Sequence, residues 1–222
     1  MPKGDSMAAV RQVNPGFGKP KFSKIEIRDI LIAILVLSVS FTLLYRNNVG
    51  FFSSDRVVNV LCWLGFSVIL VVTSFMMHEF GHKFVAQRFG AWSEFRMYPI
   101  GLLICLISSI FGFLFAMPGA VYISGYITEE QNGKISAAGP SVNIVLCGIA
   151  LIVAILLGGA YTKIGAIVLL LAYLNSFLAV FNLLPIGPLD GGKILRWNVP
   201  LYVVMMVVSV ALLIMTRVVM NG

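Results

Sequence analysis

The chain has 222 residues, of which 59% are hydrophobic and only 11% are charged. A soluble protein is roughly half apolar and a quarter charged, so this balance excludes a soluble globular fold and indicates an integral membrane protein. The net charge of +7 does not indicate a nucleic-acid partner. The basic residues lie in an N-terminal segment and in short loops between apolar runs, where Lys and Arg set membrane topology.

The first 29 residues are polar, basic and rich in Gly and Pro, and we predict that residues 1–29 form a flexible cytoplasmic tail. No small-residue cleavage motif follows the first apolar run, so this segment is not typical of a cleaved signal peptide. Residues 30–222 are predicted to form a single membrane domain in the lipid bilayer of the cell membrane.

Five apolar runs are close to the roughly 20 residues that a spanning helix needs. They predict an all-α multi-pass membrane protein with spans at residues 30–45, 57–77, 141–159, 164–184 and 199–216. The uncharged stretch 97–128 is interrupted by Pro and Gly, and we predict a re-entrant segment or short strands there. Partial alternation favours strands at Glu94–Pro99 and Ala120–Thr128.

The motif "HEFGH" follows the second apolar run and contains both histidines of the chain, His78 and His82. Residues four apart lie on the same face of an α-helix, so both imidazoles can reach one point in space and bind a metal ion. In H-E-x-x-H zinc sites the glutamate does not bind the metal but acts as the general base, which is the role predicted for Glu79.

Catalytic zinc usually has three protein ligands, and the chain has no third histidine. Among the carboxylates, Asp190 is distinguished by its place in "NLLPIGPLDGGK", a helix-breaking stretch that directly follows an apolar run. Pro185 and Pro188 end the helix there. Taken alone, Asp190 would be read as a solvated residue of an interfacial loop, but beside an incomplete zinc site it is the candidate third ligand.

Three motifs together resemble a known family: "HEFGH" ending one span, "AAGPSVN" opening another and "NLLPIGPLDGG" ending a third. In this order they look like the site-2 protease family of intramembrane zinc metalloproteases, and the match covers roughly residues 57–196. The resemblance implies that one zinc ion is bound by His78, His82 and Asp190, with Glu79 as catalytic base. It also implies a transmembrane protein substrate that is cut within or near the bilayer.

The same resemblance implies that Asn143 and Asn182 contact the bound peptide or its oxyanion. The alternative for each is a hydrogen bond between helices. Neither a PDZ-like domain between the motifs nor a nucleotide-sensing module after them is present in the sequence, so regulation by such domains is not expected.

Functions other than proteolysis are compatible with His78, Glu79, His82 and Asp190. A zinc transporter or a zinc-binding membrane sensor would have these ligands, although transport needs ligands distributed along a path with access from both sides. An inactive scaffold that binds membrane helices is a third alternative, which the intact base and ligand set disfavours.

A zinc site built from these residues constrains the topology. Asp190 must reach the side of the membrane where His78 lies, so the intervening chain crosses an even number of times. The spans 141–159 and 164–184 supply two crossings, which predicts that residues 100–117 do not cross. With the distribution of Lys and Arg, this model gives a cytoplasmic N-terminus, an exterior C-terminus and an active site reached from the cytoplasmic side.

Overall fold

A computed structural model of the chain describes residues 21–46 and 51–222. In this part of the chain five helices are long and apolar enough to cross a membrane: Lys24–Tyr45, Arg56–Arg88, Glu129–Leu156, Lys163–Asn182 and Val199–Asn221. They confirm the predicted all-α multi-pass fold with about five spans. Residues 1–20, most of the predicted tail, lie outside the described residues.

The first two long helices extend beyond the predicted spans. Helix α1, Lys24–Tyr45, begins inside the predicted tail because the Ser23 hydroxyl accepts a hydrogen bond from the Glu26 amide and caps the helix. The second consists of α2, Arg56–Val71, a π-helical turn at Val72–Met76, and α3, Met77–Arg88. The histidine motif therefore lies within a continuous helix and not at its end.

The segment between the second and third long helices consists of β1 (Trp92–Met97), α4 (Pro99–Ile110) and β2 (Gly119–Ser124). The strands pair antiparallel, from Trp92 opposite Ser124 to Met97 opposite Gly119. Twelve helical residues reach about 18 Å, too short for the roughly 30 Å of a bilayer core. The two strands confirm the strand alternative of the prediction for this segment. That residues 100–117 do not cross the membrane stays a prediction.

The C-terminal half contains α5 (Glu129–Leu156), α6 (Lys163–Asn182), α7 (Asp190–Trp197) and α8 (Val199–Asn221). Helix α5 begins well before the predicted span because Thr128 and Gln131 form a capping box. It continues through Pro140, as helices in membrane proteins can when neighbouring groups satisfy the freed carbonyl. Helix α5 packs against α3, α6 and α7, so it is the centre of the bundle.

A buried ion pair joins the start of α1 to α3 and β1. Lys83 and Glu26 are both completely buried, and the Lys83 ammonium donates to the Glu26 carboxylate at 2.9 Å. It also donates to the Ser93 carbonyl of β1 at 2.9 Å. The other Glu26 oxygen accepts the Phe95 N–H at 2.9 Å. One carboxylate therefore fixes β1 beside the helix that carries the histidines.

Replacing Lys83 with Met would leave the Glu26 charge buried without a partner. We expect the free energy of unfolding to fall by roughly 3–5 kcal/mol, the usual cost of breaking a buried ion pair from one side. The double variant Glu26→Gln/Lys83→Met removes both charges and should recover most of that loss. Unfolding in detergent micelles measures both variants, and a double variant no more stable than the single one would contradict this account.

Candidate metal centre

The imidazoles of His78 and His82 meet one turn apart on α3, and their Nε2 atoms are 3.0 Å apart. His78 Nδ1 lies 2.6 Å from Asn143 Oδ1, and His82 Nδ1 lies 2.8 Å from the Ile135 carbonyl oxygen. Since both of these oxygens accept hydrogen bonds, each Nδ1 carries the proton and donates it. Each Nε2 is left with its lone pair, which is the form of imidazole that binds a metal.

Asp190 completes the cluster from the other half of the chain. The loop after α6 contains Pro185, Pro188 and Gly187, whose φ of +56° is readily adopted only by glycine, and it ends where Asp190 opens α7. Asp190 Oδ2 lies 3.2 Å from His82 Nε2 and 3.5 Å from His78 Nε2. The structure thus brings together the three residues predicted as ligands.

The three ligand atoms fit a metal ion in spacing and in chemistry. They lie within 4.8 Å of one another, and tetrahedral zinc ligands are about 3.3 Å apart. Two lone pairs and a carboxylate facing one another in a buried place form a donor set that suits a metal cation.

Gly139 of α5 lies directly against the two histidine side chains. A methyl group on its Cα would collide with His82 Nε2 and lie 2.7 Å from His78 Nε2. Only a residue without a side chain can therefore stand beside both nitrogens.

Glu79, the predicted base, is 7% exposed and lies at the edge of the cluster. Its carboxylate oxygen Oε2 accepts a hydrogen bond from the Val121 N–H of β2 at 2.9 Å. The structure therefore places the two-stranded sheet in direct contact with this carboxylate.

Asn143 is completely buried between helices. Its side-chain amide donates to the Ser74 carbonyl at 2.8 Å and to Asn175 Oδ1 at 2.9 Å, while its oxygen meets His78. The Asn175 amide in turn donates to the Ser74 hydroxyl at 2.8 Å. Both amide hydrogens of Asn143 are thus used inside the protein, and its contacts are of the interhelical kind.

Asn182 is half-buried near the C-terminal end of α6. Its amide donates to the Leu178 carbonyl of the same helix at 2.9 Å. Contact with a bound peptide stays a prediction for this residue.

Three contributors to the site were not predicted from the sequence: Gly139, Asn175 and Val121. Gly139 is four residues before Asn143, so both lie on one face of α5, and that spacing is a usable signal. Asn175 interrupts a long apolar run, and polar residues in such runs usually have a bonding role. Val121 contributes only its backbone N–H, for which a side-chain pattern gives no sign.

Gly139→Ala should weaken zinc binding because the added methyl group enters the space between the histidine nitrogens. We expect a loss of roughly 10–100-fold, the range found when contacts that orient metal ligands are disturbed. Gly148→Ala in the same helix is the matched control, since a methyl group there meets nothing within 4 Å. Competition with a chromogenic chelator measures both affinities, and equal affinities would contradict the proposed position of the metal.

Asn143→Ala should also weaken zinc binding by roughly 10–100-fold, because the proton and orientation of His78 are no longer fixed. Asn182→Ala should leave the affinity unchanged. The thermal stability of the zinc-free variants separates this effect from general loss of structure. An Asn143→Ala variant that binds zinc as tightly as the parent chain would show that the His78 contact is dispensable.

The model of Peptidase family M50 matches residues 159–215 of the chain. "Putative zinc metalloprotease MJ0611" of Methanocaldococcus jannaschii is 38% identical over 182 residues, which are 80% of this chain and 87% of that relative. "Zinc metalloprotease MJ0392" of the same organism is 30% identical over 139 residues, which are 62% of this chain but only 35% of that relative.

A bacterial relative, "Putative zinc metalloprotease YwhC" of Bacillus subtilis, is 31% identical over 160 residues, covering 63% of this chain and 72% of the relative. No solved structure matches the chain significantly. The family model and the extensive archaeal match agree with the motifs and with the geometry of the cluster. The chain therefore belongs to Peptidase family M50, the site-2 protease family, and is a metalloprotease.

Proposed function

We propose that the chain hydrolyses a peptide bond within or near the transmembrane helix of another membrane protein. The observation that carries this proposal is the convergence of His78, His82 and Asp190 beside the buried Glu79, inside a bundle of membrane-length helices. A site in this position is reached most directly by a substrate that is itself in the bilayer.

We further propose that the cluster holds one zinc ion per chain, with His78, His82 and Asp190 as its ligands. Bound zinc supplies Lewis-acid chemistry: it polarises the scissile carbonyl and makes a water molecule acidic enough to attack near neutral pH. The names of the relatives and the spacing of the three ligand atoms support this metal. Asn143 is assigned to the orientation of His78 and not to the substrate.

Glu79 is the general base of the proposed reaction. Its carboxylate takes a proton from the attacking water and later delivers a proton to the nitrogen of the leaving peptide. Its position next to His78 in sequence and its burial at the edge of the cluster support this role. The low exposure of the carboxylate limits competition from bulk water for the same proton.

The substrate must present an extended backbone, because a helix uses its amide groups internally. The outer edge of β1 is occupied: the Phe95 N–H is bound by Glu26 and the Ser93 carbonyl by Lys83. On the outer edge of β2, the Val121 N–H is bound by Glu79, whereas the Val121 carbonyl and the backbone groups of Ile123 have no such partner among the described residues. We therefore propose that an unwound substrate segment is held along β2 by strand addition. A purely structural hairpin is the alternative.

The proposed orientation places the N-terminus in the cytoplasm and opens the site to water from the cytoplasmic side of the cell membrane. The distribution of Lys and Arg supports it. The proximity of Asp190 to His82 fits the even number of crossings that this orientation assumes.

Glu79→Gln should abolish cleavage and retain zinc, because the amide cannot accept the proton of water but does not alter the ligands. Asp190→Ala should lose zinc and activity together. The measurements are metal content of the purified chains and cleavage of a panel of single-span peptides in proteoliposomes. The expected zinc content of the parent chain is close to one per chain.

Two outcomes would overturn the proposal. Glu79→Gln cleaving as fast as the parent chain would remove the base assignment. Zinc flux across the proteoliposome membrane, without cleavage of any peptide by the zinc-loaded parent chain, would show the transport function that uses the same ligands.

A further inference from the structure

The two strands of the small sheet alternate between residues that bond across the sheet and residues whose N–H and C=O point outward. The Phe95 N–H is bound by Glu26 and the Ser93 carbonyl by Lys83, so both residues face outward from β1. Their partners across the sheet are Val121 and Ile123. These two residues therefore present their backbone groups on the outer edge of β2.

Of these two residues, Val121 is the one that contacts Glu79. Its N–H lies 2.9 Å from Glu79 Oε2, and it is the hydrogen-bond donor to that carboxylate among residues 21–46 and 51–222. A glutamate side chain has three rotatable bonds, so without a fixed partner its carboxylate would occupy several positions. Binding one oxygen leaves the other oxygen at a defined place.

We propose that the backbone N–H of Val121 is a positioning group that fixes the Glu79 carboxylate for proton transfer. The inference rests on the proposed peptidase function and adds a group that the sequence motifs do not contain. One oxygen of Glu79 is held by β2, and the other oxygen takes the proton of the attacking water. Strand β2 thereby contributes to the proton transfer as well as to the edge along which the peptide is proposed to bind.

The position of Val121 on that edge links substrate engagement to the base. The strand proposed to receive the peptide is the strand that holds Glu79, so a displacement of β2 moves the carboxylate. A donor that served the substrate alone would act on KM, whereas a donor that orients the base acts on kcat.

The test removes the single N–H, and the first of its two replacements also keeps the side chain. Replacing Val121 with its α-hydroxy analogue converts the amide to an ester, and Val121→Pro removes the same hydrogen by mutation. Because Val121 N–H points away from β1, neither change removes a hydrogen bond between the strands. The matched controls are the same two replacements at Ile123, the next outward-facing position.

The Val121 replacements should lower kcat by roughly 10–100-fold, the effect of losing a hydrogen bond to a charged group, with KM and zinc affinity unchanged. The Ile123 replacements should leave kcat close to that of the parent chain. A rise in KM at Val121 without a fall in kcat would assign the donor to the substrate and overturn the inference. Unchanged kcat and KM would also overturn it.

A second readout needs neither zinc nor substrate. In the zinc-free protein, Glu79→Ala should accelerate hydrogen exchange at the Val121 amide and leave exchange at the Ile123 amide unchanged. Equal exchange at Val121 in both proteins would overturn the inference. If the parent chain binds zinc but cleaves no membrane peptide, the proposed function is wrong. If the parent chain cleaves and the Val121 ester variant is equally active, only the positioning role of Val121 is wrong.

Discussion

The hydrogen bond between His78 Nδ1 and Asn143 Oδ1 joins the helix of the histidine pair to the central helix of the bundle. Lipid offers no hydrogen-bond partners, so every further polar group of this network must also be satisfied by the protein. Asn143 is satisfied by Ser74 and Asn175, which extends the network to a third helix. The orientation of the imidazole of His78, a proposed zinc ligand, thus depends on how α3, α5 and α6 pack, and a change in that packing would alter the candidate metal centre.

The π-helical turn at Val72–Met76 explains how Ser74 takes part in this network. In a regular α-helix, the carbonyl of each residue is bound by the N–H four residues later. A π turn disturbs that pattern and is often found beside functional sites. Here the Ser74 carbonyl accepts from Asn143 and its hydroxyl accepts from Asn175, directly before the turn that carries His78. Ser74, within the irregular turn, therefore provides two acceptors to this network.

Features that depend on residue type and spacing could be predicted from the sequence. Apolar runs of spanning length indicated the five long helices, and the spacing of His78 and His82 with the helix-breaking loop before Asp190 indicated the cluster. The helix limits were less predictable, because Ser23 and Thr128 cap helices that continue into polar sequence. The contacts of backbone groups could not be predicted at all, since any residue at position 121 except proline would offer the same N–H.

A strand beside the candidate site offers an outward-facing backbone edge, which a further spanning helix in its place would not offer. Helices use their N–H groups internally, so an outward-facing backbone edge can come only from extended chain. Such an edge is costly within a membrane unless protein groups satisfy it. On β1, Glu26 and Lys83 bind outward-facing backbone groups, and on β2, Glu79 binds the Val121 N–H. The residues that satisfy this sheet edge thus include Glu79, the proposed base. The hydrogen bond from Val121 therefore stabilises β2 against the site even when no substrate is bound.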